Sequence, residues 1–259
     1  MADSQASLPA HLEPSKLGTK EYWDALYSTE LSNHASNPSD TGTVWFDDSN
    51  AEEKLLEFLP TISPPLSRQT TSFLDLGCGN GSLLFALRRQ GWAGPALGVD
   101  YSPNSVALAR RIEDARRVGE EVVEEEEDKS PEASREPVRF ETWDLLRGEP
   151  GTVLAGEQAD GWDVVLDKGT FDAICLSEES DERGRRICEG YKERVPGLVK
   201  RGGGLFIVTS CNWTEEELRA WFVDGTGGQL EECGRVEYRA FTFGGAKGQT
   251  ISTLCFRRR

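Results

Sequence analysis

"FLDLGCGNGSLL", residues 73–84, sets an apolar run directly against three glycines in five positions. Glycine is costly inside regular structure and useful where the backbone must turn through positive φ or pass close to a ligand. The stretch therefore reads as a buried strand, a glycine turn and the start of a helix. A helix N-terminus behind such a turn favours anionic groups.

Outward from this unit, "PALGVDYS", 95–102, is a second strand. "SPNSVALARRIEDARRVG", 102–119, is a helix with Ser102 as its cap and Pro103 at its first position. "VRFETWDLL", 138–146, is a third strand and its exit, and "GWDVVLDKGTFDAICL", 161–176, a fourth strand running into a loop. Residues 181–200 read as a helix, "GGGLFIVTSCN" as a fifth strand, and "TEEELRAWF", 214–222, opens with a capping box of Thr214 and Glu217. "CGRVEYRAFTFGG" and "QTISTLCF" close the chain as two strands joined by a Gly-rich turn. Upstream, 20–31 and 50–60 have helical spacing and flank the aromatic-acidic "GTVWFDD", 42–48. The alternation predicts an α/β fold: a mostly parallel seven-stranded sheet, helices on both faces, an antiparallel terminal strand. Ligands on such sheets bind outside the carboxyl ends of the strands.

At 259 residues the chain fits one domain. Residues 1–18 read as a disordered tail and 19–259 as the domain. Within it, 120–136 is a charged, disordered insertion. A formal net charge of −16 argues against nucleic-acid binding over a broad face. No secretory signal or membrane span is expected. The six cysteines form no Cys-x-x-Cys, so free thiols are expected rather than a zinc ribbon. Only His11 and His34 are present, both ahead of the core. This argues against Ser-His-Asp, Cys-His and His-rich metal sites.

The full loop pattern is Asp75-x-Gly77-Cys78-Gly79-x-Gly81, with Ser82 where a dinucleotide fold has its third glycine. Asp100 ends the second strand, 19 residues after Gly81, where a carboxylate can accept both ribose hydroxyls. Tyr101 would flank a base, or simply be a rim aromatic. Asp144, with Leu145 beside it, leaves the third strand; it can face an adenine amine or be a helix N-cap.

This pattern resembles motif I of class I S-adenosylmethionine-dependent methyltransferases. The Asn/Asp-Pro-Pro-Tyr/Phe tetrapeptide of base and amide methylases is missing after the fourth strand. In its place stand Asp167, Lys168, Gly169, Thr170 and Phe171. Asp-Lys-Gly-Thr-Phe-Asp, with "EYWDALYSTEL", "WFDD" and "GQTISTLCF", resembles the lysine methyltransferases of translation elongation factor 1-alpha. The resemblance runs from about residue 19 to the end, interrupted by the acidic insertion.

It implies a Rossmann-like class I methyltransferase fold, S-adenosylmethionine as cofactor and that elongation factor as protein substrate. Asp75, Gly77, Cys78, Gly79 and Gly81 would hold the cofactor's amino-acid end. Asp100 would take the ribose, and Tyr101, Asp144 and Leu145 the adenine. Asp167 is expected to orient the reacting amine and also to touch the cofactor. Phe171, Trp45 and Tyr22 would be walls, and Lys168 an ion-pair partner of Asp167. Residues 19–60 would form a lid, with Asp47 and Asp48 near its mouth. No metal is expected. A monomer working in the cytoplasm, with the nucleus as a second location, completes the expectation. A small-molecule methylase, a nicotinamide oxidoreductase and a non-catalytic cofactor-binding scaffold remain the alternatives; absence of a Tyr-x-x-x-Lys or catalytic histidine counts against the oxidoreductase.

Overall fold

A computed structural model describes residues 8–126, 136–239, 241–243, 246–248 and 250–259. Four buried residues, Phe73–Leu76, form β1, which has parallel neighbours on both sides. One is β2 (Ala96–Asp100), reached through α3 (Ser82–Arg89); the other is β4 (Val164–Lys168). From β2, α4 (Pro103–Glu126) leads to β3 (Arg139–Thr142) at one sheet edge. From β4, α5 (Thr170–Cys175) and α6 (Ile187–Leu198) lead to β5 (Leu205–Ser210). Then α7 (Glu215–Phe222), β6 (Leu230–Val236), the hairpin β7 (Phe241–Phe243) and β8 (Ala246–Gly248), and β9 (Ser252–Arg258) complete the chain. The sheet order is β3-β2-β1-β4-β5-β9-β6, with β9 antiparallel to both its neighbours. This is the expected mixed seven-stranded sheet.

Strand alternation divides the core in two. Val165 and Phe206 point to the face covered by α5, α6 and α7, where Phe171, Tyr191 and Trp221 pack. Val164, Leu166 and Ile207 point to the other face, against α2 (Ala51–Phe58), α3, α4 and α1 (Lys20–Ser36). Strands are added to one side of β1 up to β3 and to its other side from β4 on, so the crevice for ligands opens at the carboxyl ends of β1 and β4.

Several boundaries differ from the sequence reading. The loop expected after β4 is the helix α5. The helix expected over 181–200 starts only at Ile187, because Asp181 Oδ1 accepts from the backbone of Arg183 and Arg185 and holds a turn there. β6 and β9 are joined through the β7–β8 hairpin rather than one glycine turn. Helix α4 continues to Glu126, into the stretch taken as a disordered insertion, since glutamate runs favour helix. The rest of that stretch, 127–135, lies outside the described residues, as do residues 1–7 of the tail.

Residues 8–18 are not a disordered tail. Leu8 and Leu12 pack on the α5–α7 core, and His11 stacks on Trp221. Ser15 donates its N–H to Leu176 O at 3.0 Å. Two leucines four residues apart supply the apolar contact that this charged, proline-containing segment hides from a periodicity reading.

Candidate functional site

The carboxyl edge of the sheet opens onto a cavity of about 190 Å³. Its floor comes from the strand ends: Gly77 after β1, Asp100 and Tyr101 at β2, Trp143 to Arg147 after β3, Lys168 to Thr170 at β4, and Cys211 and Asn212 after β5. Its cover comes from the N-terminal segment: Leu17, Gly18, Lys20, Trp23, Tyr27, Trp45 and Phe46.

Gly77 has φ +65° and is held so close to α5 that an added Cβ would lie 2.0 Å from Thr170 Oγ1. That hydroxyl donates to Leu76 O at 2.7 Å, tying the β1 turn to the β4 turn. Asp100 is buried, and burial raises its pKa above the ordinary carboxylate value. Its Oδ1 accepts from Ser102 N and its Oδ2 from Gly79 N, so the loops after β1 and β2 aim the carboxylate together. Each oxygen keeps a lone pair for a ligand hydroxyl. Tyr101 lines the cavity under the Lys20 ammonium, 5.2 Å from the ring centroid. Asp144 and Leu145 line it too. Asp144 Oδ1 accepts from the backbone of Leu146 and Arg147, so it caps a turn; the helix that would make it a helix N-cap does not form there. Its other oxygen is 3.6 Å from Arg147 Nη1.

The remaining motif residues do not reach the cavity. Cys78 is buried in the core on the α1–α4 side. An added Cβ on Gly79 would meet Tyr27 Oη at 2.6 Å, and one on Gly81 would meet the Phe140 ring at 2.6 Å. At both positions the loop is packed too closely for a side chain. Asp75 is likewise buried in β1, off the cavity lining, with a pKa pushed well up by burial and pulled back by Lys168.

The largest correction falls at the end of β4. Asp167 is 1% exposed and does not line the cavity. Its oxygens accept from Thr170 N, Phe171 N and the Tyr191 hydroxyl, so it caps α5 and anchors α6. Phe171 is fully buried among Tyr191, Trp213, Trp221 and Phe222. Neither side chain lines the cavity in this arrangement. Nor do Asp167 and Lys168 pair, because neighbouring strand residues point to opposite faces. Lys168 turns to the α2 side, 3.5 Å from Glu52, and donates to Trp45 O at 3.1 Å. Glu52 in turn accepts from Ser82 Oγ at 2.5 Å.

Helical spacing in α5 sorts the rest. Phe171 and Cys175, four apart, face the core, while Asp172, Ala173 and Ile174 line the cavity. Asp172, Cys211 and Asn212 were missed by the sequence reading; taking 170–175 as helix is the signal that finds Asp172.

The cover is built from unusual backbone. Phe46 has φ +65° and Asn50 φ +51°, a conformation that is an outlier for a bulky aromatic. It packs the Phe46 ring against Gly169, 3.1 Å from where a Cβ would stand. Trp45 lines the cavity, and its indole N–H is buried without an acceptor among the described residues. Trp23 meets Trp45 edge-on at 5.3 Å and donates to Leu17 O at 2.7 Å. Asn80 fastens the segment to the glycine loop through Thr41 O at 2.8 Å. Asp47 and Asp48 are exposed, and the Asp48 charge reaches the Cys211 thiol at the rim. Tyr22 stands outside the cavity, with Lys16 over its ring.

A buried carboxylate for a diol, a second acid with apolar neighbours for a base, a glycine turn and an unmet indole donor fit an adenosyl amino acid. A family model described as a methyltransferase domain matches residues 67–232. Protein-lysine N-methyltransferase EFM4 of Saccharomyces cerevisiae is 37% identical over 250 residues, 95% of this chain and 96% of the relative. EEF1A lysine methyltransferase 2 of Danio rerio is 34% identical over 95% of this chain and 89% of its own length. Among solved structures, magnesium protoporphyrin IX methyltransferase from Synechocystis with bound SAH (S-adenosylhomocysteine) aligns with a TM-score of 0.52. It is 15% identical over 93% of this chain and 98% of that one, a likeness of fold.

Proposed function

This chain belongs to the methyltransferase-domain family and, within it, groups with the EEF1A lysine methyltransferases. From that premise we propose that it transfers methyl groups from S-adenosylmethionine to a lysine of translation elongation factor 1-alpha. It does so as a monomer, its own N-terminal segment completing the cavity. The observation that carries the reading is one cavity joining Asp100, Tyr101 and Asp144 at one end to Gly77, Asp172 and the exposed Cys211–Asn212 rim at the other.

Asp100 would accept from the ribose hydroxyls, with Tyr101, Asp144 and Leu145 around the adenine and Gly77 at the amino-acid end. The cofactor supplies a sulfonium methyl, open to direct displacement by a neutral amine. The protein's part is alignment and exclusion of water. Trp45 and Phe46 form the lid, held shut by the Lys168 contact to Trp45 O.

A lysine side chain is protonated at neutral pH, with a reference pKa of about 10.4. His34 is buried, its ring bonded to Asp40 O, and His11 sits on Trp221; neither lines the cavity. Water therefore takes the proton, and the largely apolar walls favour the neutral amine. The test is incubation of the purified chain with labelled S-adenosylmethionine and elongation factor 1-alpha, followed by peptide mass spectrometry. Methyl-lysine on the factor is expected; label on no lysine of it overturns the substrate.

A further inference from the structure

Asp172 is a buried acid with no cation of its own. It is 4% exposed and lines the cavity beside Ala173. Oδ2 accepts from Cys211 N at 2.8 Å, and Oδ1 accepts from the Ser210 hydroxyl. Among the described residues no lysine, arginine or histidine forms an ion pair with it. Buried carboxylates are normally paired, since an uncompensated charge is costly away from water. The Ser210 hydroxyl and Cys211 N–H are joined on this carboxylate by the Cys211 thiol and Asn212 N–H, all four neutral donors, so its hydrogen bonds are supplied but its charge is not balanced. Asp167, five residues earlier, has its oxygens occupied and faces the core.

Its place in the fold says what the missing partner is. Thr170, one residue into α5, bonds to Leu76 O beside Gly77, so α5 begins at the β1–β4 crevice. Asp172 follows within the same turn, away from the Asp100–Asp144 end. Its neighbours Cys211 and Asn212 are exposed and line the same cavity, giving a way to solvent. A cation entering there reaches a buried carboxylate within one turn of the helix start.

We propose that Asp172 receives the ammonium group of the substrate lysine at the reacting end of the cavity. The assignment rests on the amine-methylating function argued above. Asp172 is the ammonium's counter-charge as the side chain is drawn from water, and accepts a hydrogen bond from the amine once the proton has left, fixing where the lone pair points.

The test compares wild type, Asp172→Asn and Asp172→Glu in three measurements: thermal melting, calorimetric binding of S-adenosylhomocysteine, and steady-state methylation of elongation factor 1-alpha. Asparagine keeps the size and an acceptor for Cys211 N but turns its amide NH2 toward Ser210, so melting falls modestly while S-adenosylhomocysteine affinity stays near wild type. The kcat/KM for the protein substrate falls about tenfold or more, the size of a lost hydrogen bond to a charged group. Most of the loss lies in KM, and Asp172→Glu recovers part of it. Unchanged kcat/KM in Asp172→Asn overturns the proposal, and so does a loss that tracks equal losses in melting and S-adenosylhomocysteine binding. No transfer by the wild-type chain, with S-adenosylhomocysteine still bound, overturns the substrate reading and the proposal with it.

Discussion

The two halves of the sheet's carboxyl edge obey different logic. After β1, β2 and β3, five residues chosen from sequence, Gly77, Asp100, Tyr101, Asp144 and Leu145, line the cavity. At β4 and in the helix after it, the two chosen as catalytic, Asp167 and Phe171, turn into the core. In the first half, strand ends and tight turns leave few directions for a side chain. In the second, the pleat of β4 turns Asp167 and the periodicity of a short helix turns Phe171, so one residue of offset separates core from cavity.

The N-terminal segment bridges both halves, so its removal has the largest effect. Deleting residues 1–50 takes away Trp23, Tyr27, Trp45 and Phe46 from the cavity and the Thr41 acceptor from Asn80. Methyl transfer should fall below detection. Circular dichroism, S-adenosylhomocysteine affinity and transfer measured on one sample separate loss of the lid from loss of the sheet. Full activity of the truncated chain would show that the strand ends suffice and would refute the lid.

Phe171→Ala tests the second half as core. The ring is fully buried against four other aromatics, and such truncations cost about 3–5 kcal/mol. Urea denaturation should register that loss, while S-adenosylhomocysteine affinity in the folded range stays near wild type. A normal midpoint with weakened ligand binding would return Phe171 to the site.

Asp100→Ala tests the first half as ligand machinery. Each hydrogen bond to its carboxylate is worth roughly 1.5–3 kcal/mol, and about 1.4 kcal/mol is tenfold in affinity. S-adenosylhomocysteine should bind at least about tenfold more weakly by calorimetry. Unaltered affinity would remove Asp100 from the site and erase the contrast between the halves.

The parallel sheet was readable because buried runs, glycine turns and helix caps are local signals; the capping box of Thr214 and Glu217 forms as the sequence implies. The contacts of residues 8–18 were not readable, because Leu12 and His11 acquire meaning only when α6 and α7 lie beside them. Cys78, Gly79 and Gly81 show a subtler limit: the glycine pattern was recognised, but of the loop residues Gly77 alone lines the cavity, which spacing does not reveal. Lys168 shows another, since adjacency to Asp167 suggested an ion pair that the strand's pleat forbids.

The smallest effect is a pH dependence that isolates Asp167. Burial pushes its carboxyl up to about 7, against the pull of the Tyr191 hydroxyl and the Phe171 and Thr170 N–H groups. Its ordinary value is 3.8. The folded chain therefore binds this proton more tightly than the unfolded chain does. Between pH of about 4 and about 7, the unfolded state has lost the proton and the native state has kept it. Stability from this group is present below about pH 4, declines as pH rises through that window, and levels off above about 7. Asp167→Asn cannot titrate, so it lacks the decline. Burial also raises the carboxyls of Asp75, Asp100 and Asp172, but these are common to both proteins and largely cancel in the difference. Urea midpoints across this range should show wild type losing ground to Asp167→Asn up to about pH 7 and a constant gap beyond. S-adenosylhomocysteine affinity should be near wild type in the variant, because Asp167 does not line the cavity. A gap that is flat across the window would mean an ordinary, ionised Asp167. Weakened ligand binding by the variant would mean that the β4 half of the edge reads its acid toward the cavity after all.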